Sequence, residues 1–346
     1  MKRHSFFLIQ VLAVCFFTVQ LQAASVPVLD GGAKRAVTAQ KRQWKRKPAA
    51  AKKNITRQSR SRSRTTVLNS RRSFAAVKEK AASSQSYIPI PYDINRRITS
   101  KSVMVIDART GEPIFAKAPD RPRQPASTIK VLTGMIAIKR LQDNEKVRVS
   151  THAATMPRSK VYLNSGQQYK ADDLINAVLL ASANDASVAL AEKIAGSEED
   201  FASLMTLHAR RLGAENTVCR TASGLTAQGQ HSTARDLAEI FRNAMQNREF
   251  AERMGQTKVR TSYGKLLRNH NKALWQMEGA VGGKTGYTSL ARQTYVGQFK
   301  RGNDAIVVAI MGSETMWQDI RRLVDYSFEK KEQIKLAQVA RRNSDS

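Results

Sequence analysis

The stretch that decides the fold is Pro125-Ala126-Ser127-Thr128-Ile129-Lys130-Val131-Leu132-Thr133. It follows a loop rich in Pro and Arg, and its apolar residues predict a helix that runs to about Arg140. Ser127 and Lys130 are three residues apart, so on a helix they lie one turn apart on the same face. Burial lowers the pKa of a lysine, because it disfavours the charged form. A buried Lys130 is therefore a candidate base for the hydroxyl of Ser127.

The Ser-x-x-Lys pair gains weight from two further motifs. Alone it is a weak indication, because a Ser at a helix start is usually a cap and a Lys one turn on is usually solvated. Ser182-Ala183-Asn184 follows an apolar run over 174–180, and Lys284-Thr285-Gly286 precedes a strand-like segment. Ser-x-x-Lys, Ser-x-Asn and Lys-Thr-Gly, in this order, resemble the motifs of penicillin-recognising serine enzymes.

The resemblance narrows to one family when the flanking residues are included. The segments 180–186, 212–217, 223–225, 232–238 and 284–288 are similar to those of the low-molecular-weight penicillin-binding D-alanyl-D-alanine carboxypeptidases. The similarity covers roughly residues 90 to 330. It implies an α+β, DD-peptidase/β-lactamase-like fold, in which a mainly antiparallel sheet flanked by helices stands beside an all-helical lobe. The site is expected between the sheet and the lobe.

The resemblance also implies roles for eight residues. It assigns catalysis to Ser127, Lys130, Ser182 and Asn184, and substrate binding to Lys284, Thr285, Gly286 and Tyr287. The implied reaction begins with attack of the serine on the carbonyl of the penultimate D-alanine, with the first lysine as base. Water then hydrolyses the acyl-enzyme. The implied partners are peptidoglycan peptides, with β-lactams as covalent inhibitors. We expect no cofactor and no metal, since the five His show no metal-ligand spacing and no glycine-rich phosphate loop is present.

Several functions remain open on these residues. The leading hypothesis is a carboxypeptidase that removes the terminal D-alanine of stem peptides. A D-alanyl-D-alanine endopeptidase that cleaves cross-links would use the same residues, and the short chain resembles those members of the family. A β-lactamase is disfavoured because no distinct Glu for deacylation is identifiable. A non-catalytic wall-binding protein is disfavoured because all three motifs are intact.

The order of predicted elements supports the implied architecture. Strand patterns occur at 101–107 and 113–116, and again at 258–260, 279–281, 293–299 and 305–311. Helical patterns fill the middle, at 170–181, 185–195, 198–212 and 234–245, and a last helix is predicted from Thr315 to about Phe328. Strands from both ends of the domain are expected to form one sheet around a helical insertion. The catalytic domain is predicted over 87–330, followed by a polar tail over 331–346.

The N-terminal region differs in composition from the predicted domain. Residues 1–24 read as a secretory signal, with Lys2 and Arg3 before an apolar core over 6–19 and small residues after it. An uncleaved membrane anchor is the alternative. Export places the protein in the periplasm or the cell envelope. After cleavage Cys219 would be the only cysteine, so no intrachain disulfide is expected.

Residues 25–86 are predicted to be a disordered basic arm. Within 31–80 there are 17 Lys or Arg and one acid, Glu79. The 17 positive charges and one negative charge give this segment a net charge of +16, which is about half of the chain's +30. Few large apolar residues are present to offset the entropy cost of ordering. Basic arms often bind nucleic acid, but export removes that context. The arm is therefore either a plain tether or an attachment to anionic envelope polymers or lipid head groups.

Two departures from the family pattern lie around the third motif. Val281-Gly282-Gly283 stands where the family usually has Asp-Gly and an apolar residue. Arg292 stands where the family usually has a Gly, and it is expected to add positive charge near the site. Neither change interrupts any of the three motifs.

Overall fold

The computed structural model describes residues 93–344. The predicted signal segment, the predicted basic arm and the first residues of the predicted catalytic domain lie outside this range. The predictions of a cleavable leader and of a disordered arm therefore stay predictions.

One antiparallel sheet of five strands forms the centre of the described region. Its strands come in the order β2-β1-β9-β8-β7, so strands from both ends of the domain lie side by side, as predicted. Two further pairs, β3 with β4 and β5 with β6, form small hairpin-like sheets. The strands are β1 Ser102–Asp107, β2 Pro113–Lys117, β3 Lys146–Arg148, β4 Gln168–Lys170, β5 Lys258–Arg260, β6 Leu266–Arg268, β7 Ala280–Thr288, β8 Arg292–Arg301 and β9 Asp304–Ser313.

The helices of the described region lie mostly between β2 and β7 in sequence. They are α1 Lys130–Arg140, α2 Thr151–Thr155, α3 Ala171–Leu179, α4 Asn184–Ala195, α5 Glu198–Arg211, α6 Ala234–Ala244, α7 Arg248–Gly255, α8 Ala273–Gln276 and α9 Met316–Ser344. The predicted cap of α6 is confirmed, since the Thr233 side chain accepts a hydrogen bond from Asp236 N. The prediction missed α2, α7 and α8, which are only five, eight and four residues long. Short helices carry too few turns for an apolar period to be visible.

The sheet is covered on both faces, because its central strands alternate between two cores. In β1, Met104 and Ile106 pack with the helical lobe, whereas Val103 and Val105 pack with α9. β9 alternates in the same way along its length. A strand with both faces buried reads as a continuous apolar run, which is why 103–106 and 305–311 were recognised from sequence.

The last helix is longer than predicted. The prediction ended it near Phe328 and placed a polar tail over 331–346, but α9 continues to Ser344. Apolar periodicity stops after Phe328, and the extension is held by charge instead. Lys331 pairs with Asp107 and Asp304, and Lys335 also pairs with Asp304. Within residues 93–344, α9 included, no helix has the length and apolarity needed to span a bilayer.

A buried carboxylate in the first turn of α9 connects this helix to the segment before β1 and to the end of β9. Asp319 accepts hydrogen bonds from Ser100 Oγ at 2.6 Å, Ser100 N at 2.8 Å and Ser313 Oγ at 2.8 Å. Both the N–H and the hydroxyl of Thr99 donate to it as well. Burial raises the pKa of Asp319, but the hydrogen bonds together lower it by more than burial raises it. The net pKa therefore lies below its ordinary value. This carboxylate therefore keeps its charge.

Candidate active site

Ser127 lies in a single 3-10 turn, Ala126–Ile129, that leads directly into α1. The sequence predicted a serine at a helix start, and the structure refines this to the turn before the helix. No side-chain cap is present at the start of either element, so the Ser127 hydroxyl is not used as a cap. The carbonyl of Pro125 anchors the turn, because Thr128 Oγ1 donates to it at 2.6 Å and Thr294 Oγ1 of β8 at 3.0 Å.

Lys130 is fully buried behind Ser127. Its Nζ lies 3.0 Å from Ser127 Oγ, 2.7 Å from Asn184 Oδ1 and 2.6 Å from the carbonyl oxygen of Ser223. The last two atoms can only accept hydrogen bonds. A neutral amine has two N–H groups and one lone pair, so donating to both acceptors leaves the lone pair for the one neighbour that carries a proton, Ser127 Oγ.

The electrostatic surroundings favour this neutral form. Burial lowers the pKa of Lys130 well below its ordinary value, and the positive charge of Lys284 lowers it further. The negative charges of Glu198 and Asp185 act in the opposite direction but do not cancel the effect. The two predicted conditions for a lysine base, contact with the serine and a lowered pKa, are both met.

The second motif forms the joint between α3 and α4. Ser182 adopts a left-handed backbone conformation with φ of 58°, and α4 begins at Asn184. The Asn184 amide is fixed at both ends, because its Nδ2 donates to the Pro157 carbonyl at 2.9 Å while its Oδ1 faces Lys130. The turn at Ser182 thus places the Ser182 hydroxyl and the Asn184 amide side by side, next to Lys130 and Lys284.

The third motif lies on β7, an edge strand of the sheet. Lys284 is buried, and its Nζ donates to Ser182 Oγ at 2.8 Å. Burial lowers the pKa of Lys284 to about 7. A Cβ on Gly286 would come within 2.8 Å of Ser127 N. Only glycine therefore lets the strand lie this close to the serine turn.

A cleft of about 470 Å³ collects these elements. Six of the eight predicted site residues line it, namely Ser127, Ser182, Asn184, Thr285, Gly286 and Tyr287. The two lysines lie behind this lining and reach it through Ser127 and Ser182. The structure therefore brings together every residue that the sequence predicted for the site.

Two contributors to the site were not predicted. The carbonyl of Ser223 is an acceptor for Lys130, and its segment was recognised only as a family similarity. His270 lines the cleft near Lys284, and its backbone N–H donates to the Leu180 carbonyl. Partial burial and the positive charges of Lys284 and Lys130 lower the pKa of His270 to about 4. A backbone carbonyl and a single His leave no recognisable motif, so sequence reasoning could not find them.

The two departures from the family pattern have structural explanations. Arg292 does not line the cleft, and it pairs with Glu314, with Nε 3.0 Å from Oε1. The expected extra positive charge is therefore paired with a carboxylate outside the cleft lining. Gly283 lies against the buried Tyr295, where a Cβ would approach the phenol oxygen to 2.4 Å. The glycine at this position makes room for that ring.

Comparison with solved structures identifies the class of the fold. A D-alanyl-D-alanine carboxypeptidase from Mycobacterium tuberculosis H37Rv superposes with a TM-score of 0.65 and 32% identity, over 71% of this chain and 95% of that one. Penicillin-binding protein D2 from Listeria monocytogenes, solved in its ampicillin-bound form, gives a TM-score of 0.60 and 25% identity, over 69% of this chain and all of that one. The chain has the fold of the DD-peptidases and penicillin-binding proteins, and the predicted α+β class is confirmed.

The sequence identifies the family. The chain belongs to the D-alanyl-D-alanine carboxypeptidases of peptidase family S11, whose sequence profile matches residues 89–315. It is 35% identical over 236 residues to the carboxypeptidase DacB2 of Mycobacterium tuberculosis, covering 65% of this chain and 81% of that protein. It is 31% identical over 251 residues to DacF of Bacillus subtilis, covering 67% of this chain. The match spans only 63% of the length of DacF.

Proposed function

We propose that this protein is a serine D-alanyl-D-alanine carboxypeptidase that acts on peptidoglycan stem peptides through an acyl-enzyme. The observation that carries the proposal is the contact of a buried Lys130 with Ser127 at 3.0 Å; within residues 93–344 the other two hydrogen-bond partners of the amine are acceptors only. Membership in the S11 family supports the reaction class.

In the first step Ser127 Oγ attacks the carbonyl carbon of the penultimate D-alanine, and its proton passes to Lys130 Nζ. General-base help of this kind contributes on the order of a hundred- to ten-thousandfold in rate. Lys130 is suited to this because burial and the charge of Lys284 lower its pKa and so favour the neutral amine. By family resemblance, the N–H groups of Ser127 and Tyr287 bind the developing oxyanion. The close approach of Gly286 to Ser127 N places the two segments side by side.

In the second step the C–N bond breaks and the D-alanine amine leaves with a proton. Ser182 Oγ is the candidate relay, because it faces the cleft and is held by Lys284 Nζ at 2.8 Å. Lys284 and Thr285 are suited to bind the carboxylate of the leaving residue, one by charge and the other by its hydroxyl. Asn184, fixed by Pro157, orients both the lysine base and the substrate amide.

Water then hydrolyses the ester to release the shortened peptide. No Asp or Glu lines the cleft in the part of the chain that the structure describes. Glu198 and Asp185, the two acids whose charges act on Lys130, are not among the lining residues. Glu198 accepts a hydrogen bond from Ala222 N, and Asp185 accepts one from Val161 N. Without a carboxylate to activate water, acyl-enzymes formed with β-lactams should persist. This favours covalent inhibition by β-lactams over β-lactamase activity.

A labelled penicillin tests the proposal directly. We expect stoichiometric and persistent labelling of the protein, and none in Ser127→Ala, which loses only the nucleophile. A thermal melt should show that the variant is folded. Covalent labelling of a folded Ser127→Ala protein would rule out Ser127 as the nucleophile.

Product analysis separates the two reactions that the same residues can perform. Mass spectrometry of purified wall fragments distinguishes loss of one alanine from loss of a cross-link. We expect loss of terminal alanine from uncross-linked stem peptides. Opened cross-links as the dominant product would favour the endopeptidase alternative, with the same nucleophile.

The basic arm over 25–86 is proposed to hold the enzyme to an anionic surface of the cell envelope. The support is its composition, with 17 Lys or Arg and one acid within 31–80, and the position of all three motifs downstream. Attachment of this kind weakens steeply with salt, since the Debye length is about 8 Å at physiological ionic strength.

A protein that begins near residue 85 tests this role. It should keep its turnover of a small soluble peptide and lose the salt-sensitive part of its binding to whole walls or anionic vesicles. Unchanged wall binding would make the arm a plain tether. Lost turnover on the soluble peptide would place part of the arm in the catalytic fold.

A further inference from the structure

A second depression, of about 360 Å³, adjoins the catalytic cleft. We call it the Tyr162 groove; its walls are the loop 158–162 and the strand β6 with its flanks, and it includes Lys160, Tyr162, Lys265 and Arg268. Arg158, Ser159 and His270 line both the groove and the cleft. The two depressions are therefore neighbours that share three lining residues.

An exposed tyrosine organises the groove. Tyr162 is 53% exposed and has a φ of 60°, which is rare for a non-glycine residue and marks a position worth explaining. Its phenol oxygen accepts hydrogen bonds from Arg158 Nε at 2.8 Å and Nη2 at 2.6 Å. Lys160 Nζ and Lys265 Nζ lie 5.5 and 5.2 Å from its ring centroid. The ring thus gathers three cations at one place on the surface.

These cations have no acidic partners. Among residues 93–344, none of the ion pairs includes Arg158, Lys160, Lys265 or Arg268, and no acid lines the groove. Lys160 and Lys265 donate only to the neutral carbonyls of Ala154 and Val161. Arg253, by contrast, meets three carboxylates. Four like charges held together without a counter-charge favour an anionic ligand.

The groove opens at the Ser182 end of the cleft. His270, which borders both spaces, donates its N–H to the carbonyl of Leu180, two residues before Ser182. Tyr287, beyond Gly286 on β7, lines the cleft but not the groove. In the proposed mechanism Ser182 and Lys284 face the leaving residue, so the groove continues on the leaving-group side of the scissile bond.

We propose that the Tyr162 groove binds carboxylates carried by the leaving group of the substrate, beyond the one held at Lys284 and Thr285. This inference rests on the proposed function and adds a preference to it. Leaving groups that bear an extra carboxylate, including acidic peptides joined through a D-centre, are preferred over neutral ones of the same size. Lys160, Lys265 and Arg268 are specificity residues and touch no reacting atom.

The test compares two substrates with the same acyl part. One has D-glutamate as the leaving residue, and the other has D-glutamine, a neutral group of nearly equal size. With the full chain at low salt, kcat/KM should be roughly fivefold higher for D-glutamate, the size of an exposed charge contact. The preference should shrink as ionic strength rises, because exposed charges are screened.

A charge-neutralised groove gives the decisive comparison. Lys160→Gln with Arg268→Gln should abolish the preference, and adding Lys265→Gln should leave it abolished. A control with the same charge change elsewhere, Lys146→Gln with Lys300→Gln, should retain it. Thermal melts and penicillin labelling, which do not involve the leaving-group charge, should match the parent in every variant and show an intact catalytic site.

The outcomes separate this inference from the function on which it rests. An unchanged preference in a groove variant that labels normally overturns the groove and leaves the carboxypeptidase standing. Absent labelling and turnover in the parent overturns the carboxypeptidase itself. Soluble polyphosphate serves as a further probe. The basic arm should bind polyphosphate equally in all variants, so the groove variant is compared with the Lys146→Gln, Lys300→Gln control. If the groove variant binds polyphosphate more weakly than this control while the substrate preference stays, the groove binds an anionic polymer and the substrate proposal fails.

Discussion

Two fully buried ionisable groups, Lys130 behind the lining of the cleft and Asp319 in the first turn of α9, differ in charge state. Burial acts against the charge of both. At Asp319, backbone and hydroxyl donors from two segments, 99–100 and 313–315, stabilise the charge, and its net pKa falls below the ordinary value. At Lys130, a second buried cation adds to the effect of burial, and the pKa of the amine falls well below its ordinary value. The comparison shows that, at equal burial, the neighbours of an ionisable group set the direction of the net change in its stability as a charge.

The largest expected effect is on the rate of acylation, when Lys130 is replaced by a residue that stays positively charged. Lys130→Arg keeps a cation that cannot deprotonate, so acylation by a labelled penicillin should slow on the order of a thousandfold, nearly as much as in Lys130→Ala. Stopped-flow labelling measures the rate, and circular dichroism shows whether the variants are folded. A near-normal rate for a folded Lys130→Arg protein would mean that another group accepts the serine proton.

Replacing Asp319 should lower the stability of the fold and leave the rate of acylation unchanged. Asp319→Ala leaves the N–H groups of Thr99 and Ser100 without their acceptor, which should lower the free energy of unfolding by about 3 kcal/mol. Urea unfolding measures the loss, and labelling of the folded fraction should be unchanged. Equal stability of parent and variant would show that water replaces the carboxylate at no cost.

The pH dependence of that stability has a defined sign. The pKa of Asp319 is lower in the folded protein than in the unfolded chain, so its contribution is complete above the unfolded value of about 3.9. It is lost as the pH falls through the lower folded value. The difference in unfolding free energy between the parent and Asp319→Asn should therefore be constant from about pH 5 to 7 and shrink below about pH 4. A difference that grows on acidification would contradict the lowered pKa.

The smallest effect concerns the lysine beside Ser182. The pKa of Lys284 is lowered to about 7, so its charge is present below neutral pH and lost above it. If that charge binds the substrate carboxylate, kcat/KM should fall on the alkaline side of about pH 7. Lys284→Arg cannot deprotonate, so its profile should lose this limb even where its overall rate is a few-fold lower. An identical alkaline limb in the variant would assign it to another group.

Much of this arrangement was visible in the sequence because it rests on local patterns. The spacing of Ser127 and Lys130 predicted their contact, and the continuous apolar runs of β1 and β9 predicted buried strands. The order of strands and helices predicted a sheet built from both ends of the domain. All eight predicted site residues lie in or directly behind the lining of one cleft. They could be predicted because the three motifs of the family mark them in the sequence.

The parts that were missed depend on contacts between distant residues. In the extension of α9, Lys331 pairs with Asp107, 224 positions away, and Lys335 pairs with Asp304, 31 positions away. No apolar period marks this extension in the sequence. The carbonyl of Ser223 reaches Lys130 across 93 positions. Lys160 and Arg268 are ordinary surface charges in the sequence. Only the folded chain places them along one groove next to the cleft.

The pairing of β1 with β9 constrains the order in which this chain can acquire its structure. Ser102 is matched with Met311, 209 positions later, and β1 has β2 alone on its other side. Until the last strand has left the ribosome, one edge of β1 has no partner, and the helical lobe has no complete sheet to cover. Contacts of such long separation slow folding. A nascent chain that ends before Asp304 should therefore be a client of chaperones and proteases, and no N-terminal fragment of the domain should survive as a smaller stable enzyme.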